Sequence, residues 1–193
     1  MKVHLTRLSR LITKTTAAKI SPKMPIEVII EYDAWKKHNL NCLMSRLFNH
    51  VLEHLKYDAG NFNACLLGCD DKKITALNLS FLSKKKSTNI LSWPSQERRS
   101  SCPGHWPMPL NPLSDQFLGD IAISYDTCRR EAHESGKTID SHATHLLIHS
   151  ILHLMGFNHE NNLDATLMEN IEIEILGNLG EVNPYTTIKG FKP

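Results

Sequence analysis

No apolar stretch in this chain approaches the roughly 20 residues a helix needs to cross a bilayer, so a helical membrane span is excluded. Charge of one sign is also missing. Lys and Arg number 22 against 20 Asp and Glu, a formal net charge of +2, which alone identifies no polyanionic partner. The five cysteines (Cys42, Cys65, Cys69, Cys102 and Cys128) are odd in number and scattered. No apolar secretory segment precedes them, so reduced thiols in an intracellular compartment are expected rather than a disulfide framework. Cys65 and Cys69 fall in an apolar, strand-like run, which argues against a second metal site there. There is no internal repeat. What is present is ordinary for a soluble globular protein: 41% hydrophobic and 22% charged residues. A length of 193 residues suits one domain with a real core and is short for two.

Residues 1–23 lack acidic side chains and carry Lys2, Arg7, Arg10, Lys14, Lys19 and Lys23. That composition resembles a mitochondrial transit peptide, which would place the protein in the matrix. Against this, Leu5, Leu8, Leu11 and Ile12 give only a short, weak amphipathic stretch. Met24 opens MPIEVIIEYDAW, which reads as the start of a first strand. A disordered basic extension ahead of a domain over 24–180, with a tail over 181–193 and a cytoplasmic location, is the expectation.

The most informative segment is HLLIHSILHLMGFNHE. His149 and His153 are four apart, so on a helix they share a face and can aim two imidazoles at one point. Gly156 offers the left-handed turn that commonly ends a helix, and the chain can then bring His159 in from the side. Three nitrogen ligands with no fourth protein ligand nearby describe an open Zn²⁺ site that keeps a water, a catalytic arrangement. His145 lies one turn earlier on the same stripe, so spacing alone also allows His145, His149 and His153. His50 and His54 share the spacing but have no third partner. A zinc peptidase of the H-E-x-x-H type carries a general-base glutamate after its first histidine. Here that residue is Ser150, which disfavours peptidase chemistry. Met168 shares a helical pattern with Ile171 and Ile175, so core packing is its expected role.

Around this segment, IEVIIEY reads as a strand and 34–55 as an amphipathic helix with a 3.6-residue period. Phe62 to Cys69 is a strand, followed by a helix from about Asp71 to Phe81. Thr88 to Trp93 is a strand ended by Pro94. Residues 95–116 contain Pro103, Pro107, Pro109 and Pro112 and form a long irregular loop, expected to be a lid gating access or disordered. Leu118 to Ser124 is a strand and Tyr125 to about Ser135 a helix. Asp140 or Ser141 caps the metal helix, which runs to about Met155. A last helix spans roughly 162–176, closed by Gly177 and then Gly180. Strands and helices alternate without a strict βαβ repeat. The expected fold is therefore a single α+β domain. It has a mixed sheet of about four strands, about five helices, and a zinc site at the end of a central helix.

These residues carry a resemblance. Leu77-Asn78, the run from Ser87 through Thr88-Asn89-Ile90-Leu91-Ser92-Trp93 to Pro94, the run from Leu118 to Ser124, and the helix from His145 through His149 and His153 to His159 occur in one order. So does the tail Met168-Glu169-x-x-Glu172-x-x-Ile175-Leu176. Together they resemble the bacterial YbeY family in its alphaproteobacterial form: metal-dependent endoribonucleases of ribosomal RNA maturation and ribosome quality control. The resemblance covers nearly everything after Met24. It implies His149, His153 and His159 as ligands of one Zn²⁺, with His149 also catalytic, and leaves His145 as a supporting or packing residue. Three positions depart from the family pattern. Leu82 stands where the family places an arginine that the resemblance implies contributes to activity, Ser150 replaces a glycine, and Phe157-Asn158 replace Tyr-Asp. Losing the arginine removes a bidentate phosphate contact.

The resemblance implies a zinc-dependent endoribonuclease acting on single-stranded RNA, with the 3′ end of 16S ribosomal RNA as substrate and the small ribosomal subunit or a ribosomal protein as partner. Phosphoryl chemistry needs positive charge around the equatorial oxygens more than a carboxylate base, so Ser150 is tolerable for a nuclease. Lys84, Lys85 and Lys86 are the candidate phosphate contacts. Asp120 either orients a ligand histidine or ends a strand. Two alternatives stay open: a ribosome-assembly factor with little catalysis, which Leu82 favours, and a metallohydrolase of a non-RNA substrate.

Overall fold

Strands β2 (Asn63–Cys69) and β4 (Phe117–Ser124) are buried along all but their first residue because both faces of the sheet are covered. In the computed structural model, which describes residues 26–83 and 85–185, β1 (Ile26–Ile30) pairs parallel with β2 and β2 pairs parallel with β4. Strand β3 (Ile90–Pro94) runs antiparallel along β4, giving the order β1-β2-β4-β3. The basic extension 1–23 and Lys84 lie outside the described residues. Five α-helices, among the described residues, complete the expected α+β domain.

Alternation along the strands divides the core. Leu66, Ile121 and Ile123 face the larger cluster, formed with helices α1 (Leu40–His54), α3 (Tyr125–Glu134), α4 (Ile139–Leu154) and α5 (Asn162–Asn178). Leu67, Cys69 and Ala122 point the other way, onto Ile74 and Leu77 of α2 (Asp71–Leu82). Burial of that alternate set on a single helix closes the second face.

Three helix boundaries differ from expectation. The helix expected from Ala34 breaks at Asn39, whose φ of 45° and ψ of 49° are left-handed; asparagine tolerates that region. A 3₁₀ segment, Asp33–His38, precedes the break. Helix α4 starts earlier than expected, capped by Thr138, whose Oγ1 accepts from the Ser141 amide at 3.1 Å. Helix α5 runs through Gly177 to Asn178 and closes at Gly180, the second of the two glycines expected to end it, with Glu181 N donating to Leu176 O at 2.9 Å and Gly180 N to Gly177 O at 3.1 Å. That is a Schellman closure with the left-handed residue at Gly180.

The loop 95–116 is neither disordered nor free. Arg98 is 3% exposed and meets Asp115 at 3.2 Å. Leu110 is buried, and its amide donates to the Tyr57 hydroxyl at 3.2 Å. At its apex Gly104 N donates to Asp164 Oδ1 at 2.6 Å, tying the loop to the start of α5. A charged pair and an apolar anchor hold it down as a strap.

Candidate metal centre

Helix α4 is apolar almost all round and is the central element of the core. From Ala143 to Leu154 every side chain is buried except those of His145, His149 and His153. This stripe opens into a cleft of about 630 Å³ bounded by Thr88 to Ser92 of the β3 edge and by Glu169 and Tyr185.

The helix ends in the manner its sequence anticipates. Gly156 adopts φ +100°, Phe157 N donates to Leu152 O at 3.1 Å, and Gly156 N donates to His153 O at 3.0 Å. The turn also needs a residue without a side chain. A Cβ at Gly156 would stand 2.7 Å from Arg98 Cβ and 3.0 Å from Pro107 Cβ, both in the strap. Beyond the turn the exposed His159 folds back, and ligand nitrogens of His149, His153 and His159 lie within 4.8 Å of one another. The structure therefore brings the expected trio together.

Hydrogen bonds assign the tautomers of the two helix histidines. His153 Nδ1 donates to the Phe157 carbonyl at 2.9 Å, and His149 Nδ1 donates to the Glu172 carboxylate at 3.0 Å. Burial pushes the His153 pKa down to about 4, aided by His149 and His159, so this ring is neutral. Its Nε2 is then a lone pair, and it faces His149 Nε2 at 3.0 Å. A divalent cation bound at that point would take the Nε2 lone pairs of both rings. A neutral imidazole set of this kind fits a borderline-soft divalent metal such as Zn²⁺.

His145 does not join the trio. Its Nε2 lies 3.7 Å from Glu172 Oε1, and burial holds its pKa near 4. With His149 and Glu172 it forms a second group whose ligand atoms also fall within 4.8 Å. Glu172 is fully buried, and its other oxygen accepts from the Tyr185 hydroxyl. Burial alone would raise its pKa, but the bonds from His149 and Tyr185 and the nearby His149 and His145 outweigh that and hold it below the usual carboxylate range. Burial, with Glu172, drives the Tyr185 pKa upward.

From the sequence, Glu172 had no role beyond its place in the acidic tail, and Tyr185 was not singled out. The signal for Glu172 was available: it lies on the same helical face as Met168, Ile171 and Ile175, and a carboxylate on a buried stripe demands a partner. Met168 is buried, as expected of a core residue. Tyr185 carries no comparable signal. Asp120 lies inside β4, opposite Trp93 and Cys65, while the acceptors at His149 and His153 are Glu172 and the Phe157 carbonyl. Lys85 and Lys86 are exposed just ahead of the residues that line the cleft. Ser150 is buried, its hydroxyl without a hydrogen-bond partner among the described residues. Cys65 and Cys69 are free, burial pushes both thiols up to about 12, and among the described residues neither joins a group of side chains able to hold a metal.

Fold and site together define a one-domain α+β protein whose central helix presents a histidine cluster able to hold a metal ion. A family model described as Endoribonuclease YbeY matches residues 26–180. Among curated proteins, the Endoribonuclease YbeY of Cereibacter sphaeroides is 44% identical over 163 residues, covering 83% of this chain and 98% of that protein. That of Paracoccus denitrificans is 46% identical over 160 residues, covering 83% and 89%. That of Ruegeria pomeroyi is 44% identical over 165 residues, covering 84% and 99%. A solution structure of a Thermotoga maritima protein aligns with a TM-score of 0.49 at 19% identity, covering 84% of this chain and 99% of that one. This chain belongs to the endoribonuclease YbeY family. Among the described residues, no helix is long and apolar enough to cross a membrane.

Proposed function

We propose that the protein is a zinc-dependent endoribonuclease that cleaves single-stranded ribosomal RNA during maturation of the small-subunit 3′ end and in ribosome quality control, in the cytoplasm. The observation that carries this is the convergence of His149, His153 and His159 within 4.8 Å at the mouth of an open cleft. When bound there, Zn²⁺ supplies Lewis acidity at a phosphodiester oxygen and lowers the pKa of a water to about 7. The chain's own residues do the rest. His149 and His153 keep their Nδ1 protons on Glu172 and Phe157 and so hold both Nε2 lone pairs in place. The β3 edge and the stripe of α4 form the walls between which a strand lies. Single-stranded RNA suits such a cleft, because its unstacked bases are free to enter while a duplex keeps them paired. Lys84, Lys85 and Lys86 lead into β3 and contribute phosphate contacts whose strength falls with added salt.

Incubating zinc-loaded protein with labelled ribosomal RNA beside His149→Ala tests this. Cleavage by the wild type and loss of at least about two orders of magnitude in the variant are expected, since removing a metal's ligand removes its catalysis. Equal cleavage by both proteins would trace the activity to a contaminant and overturn the proposal.

A further inference from the structure

A carboxylate with no solvent exposure costs several kcal/mol to bury unless close partners compensate. Glu172 is such a group, and its partners are two histidines of the α4 stripe, His149 at 3.0 Å and His145 at 3.7 Å, and the Tyr185 hydroxyl. We propose that Glu172 is the positioning residue that fixes the tautomer and aim of His149, and that Tyr185 latches it shut from the segment after α5. This role rests on the metal reading above.

The case follows from the proton inventory. An imidazole free in solution carries its proton on either nitrogen, and only the bare nitrogen can bind a metal. Glu172 Oε1 accepts from His149 Nδ1, so in the neutral ring the bare nitrogen is Nε2, 3.0 Å from His153 Nε2. Helix α4 holds the backbone of His149 but leaves its ring free to turn about χ2. The bond to Glu172 removes that freedom, and the carboxylate charge makes the ring a stronger donor to a cation. His153 receives the same service from the main-chain carbonyl of Phe157. Tyr185 donates to the second oxygen of Glu172 and stacks edge-on to His145, with ring centroids 6.0 Å apart. The carboxylate is thereby closed on both sides, and the segment after α5 becomes part of the centre.

Competition for zinc with a coloured chelator, on wild type, Glu172→Gln, Tyr185→Phe and His159→Ala, tests the role. Nitrogen-15 spectra of the histidines in zinc-free protein accompany it, and circular dichroism confirms that each variant is folded. Glu172→Gln keeps the side chain's size, so fold retention is expected. It is expected to weaken zinc binding about 10- to 100-fold, the range for loss of a partner behind a ligand. Its His149 proton is expected to distribute over both nitrogens, whereas in the wild type it stays on Nδ1. Tyr185→Phe is expected to weaken zinc binding less than Glu172→Gln, and His159→Ala more.

Glu172→Gln that binds zinc like the wild type, with the His149 proton still on Nδ1, overturns the role. So does abolished binding in Glu172→Gln beside full binding in His159→Ala, which would put the ion on His145, His149 and Glu172 instead. Wild-type protein that takes up no zinc sinks the metal reading and this role with it. Normal wild-type binding beside an unaltered variant sinks this role alone.

Discussion

Gly156 shows how much one residue decides. Its φ of +100° is a conformation that side chains rarely adopt, and strap atoms of Arg98 and Pro107 occupy the space a methyl would need. The same turn aims the Phe157 carbonyl at His153 and sends the chain back toward His159. Gly156→Ala is therefore expected to cost about 1–3 kcal/mol of stability from backbone strain alone, with more from the clash. Zinc affinity is expected to fall as well, because two of the three proposed ligands depend on the turn. Urea unfolding and zinc titration of the variant check this, and wild-type values in both would refute it. Ser150 is informative in a different way. Its buried hydroxyl sits where a zinc peptidase keeps a carboxylate, so the chain lacks that general base at that position.

Among the elements, the junction of α2 with β4 and α3 is set by one carboxylate. Asp71 accepts from Ser124 Oγ at 2.6 Å, Thr127 Oγ1 at 2.7 Å and Thr127 N at 3.2 Å. Burial pushes the Asp71 pKa up, but these bonds and Arg130 outweigh it and hold the carboxyl below its usual range. A carboxyl depressed in the folded state contributes stability above its unfolded pKa of about 3.9, and that contribution is lost as pH falls through the lower folded value. Asp71→Asn is thus expected to lose about 2 kcal/mol near neutrality, a typical sum for charge-assisted bonds. The gap from wild type should narrow below pH ~4. Urea melts at the two pH values measure this, and an equal gap at both would contradict it.

Elements with strong periodicity were readable in advance. The strands and α4 follow from apolar runs and from the histidine stripe. The break at Asn39 was not legible, because an asparagine inside a helical pattern gives no sign that tertiary packing will turn it left-handed. The docking of 95–116 was hidden for a similar reason: prolines announce irregular backbone, but the Arg98–Asp115 pair is a contact across the loop. The metal trio was visible because all its members lie within one short segment. Tyr185 was not, since it reaches Glu172 through folding alone.

The whole molecule is a scaffold for the open stripe of one buried helix. The sheet supports α4 through β3 and β4, α5 brings Glu172, the strap holds the turn, and the segment after α5 adds Tyr185. Anything that binds the folded chain alone stabilises it, so zinc at roughly 1,000 times its Kd adds about 4 kcal/mol. The central claim is that three imidazoles hold one ion. X-ray absorption at the zinc edge of loaded wild-type protein tests it most directly. The expected spectrum shows one equivalent of zinc with about three histidine nitrogens at roughly 2.0–2.1 Å, completed by an oxygen. Absence of stoichiometric zinc, or a sulfur shell near roughly 2.3 Å that places the ion on cysteines, would contradict it.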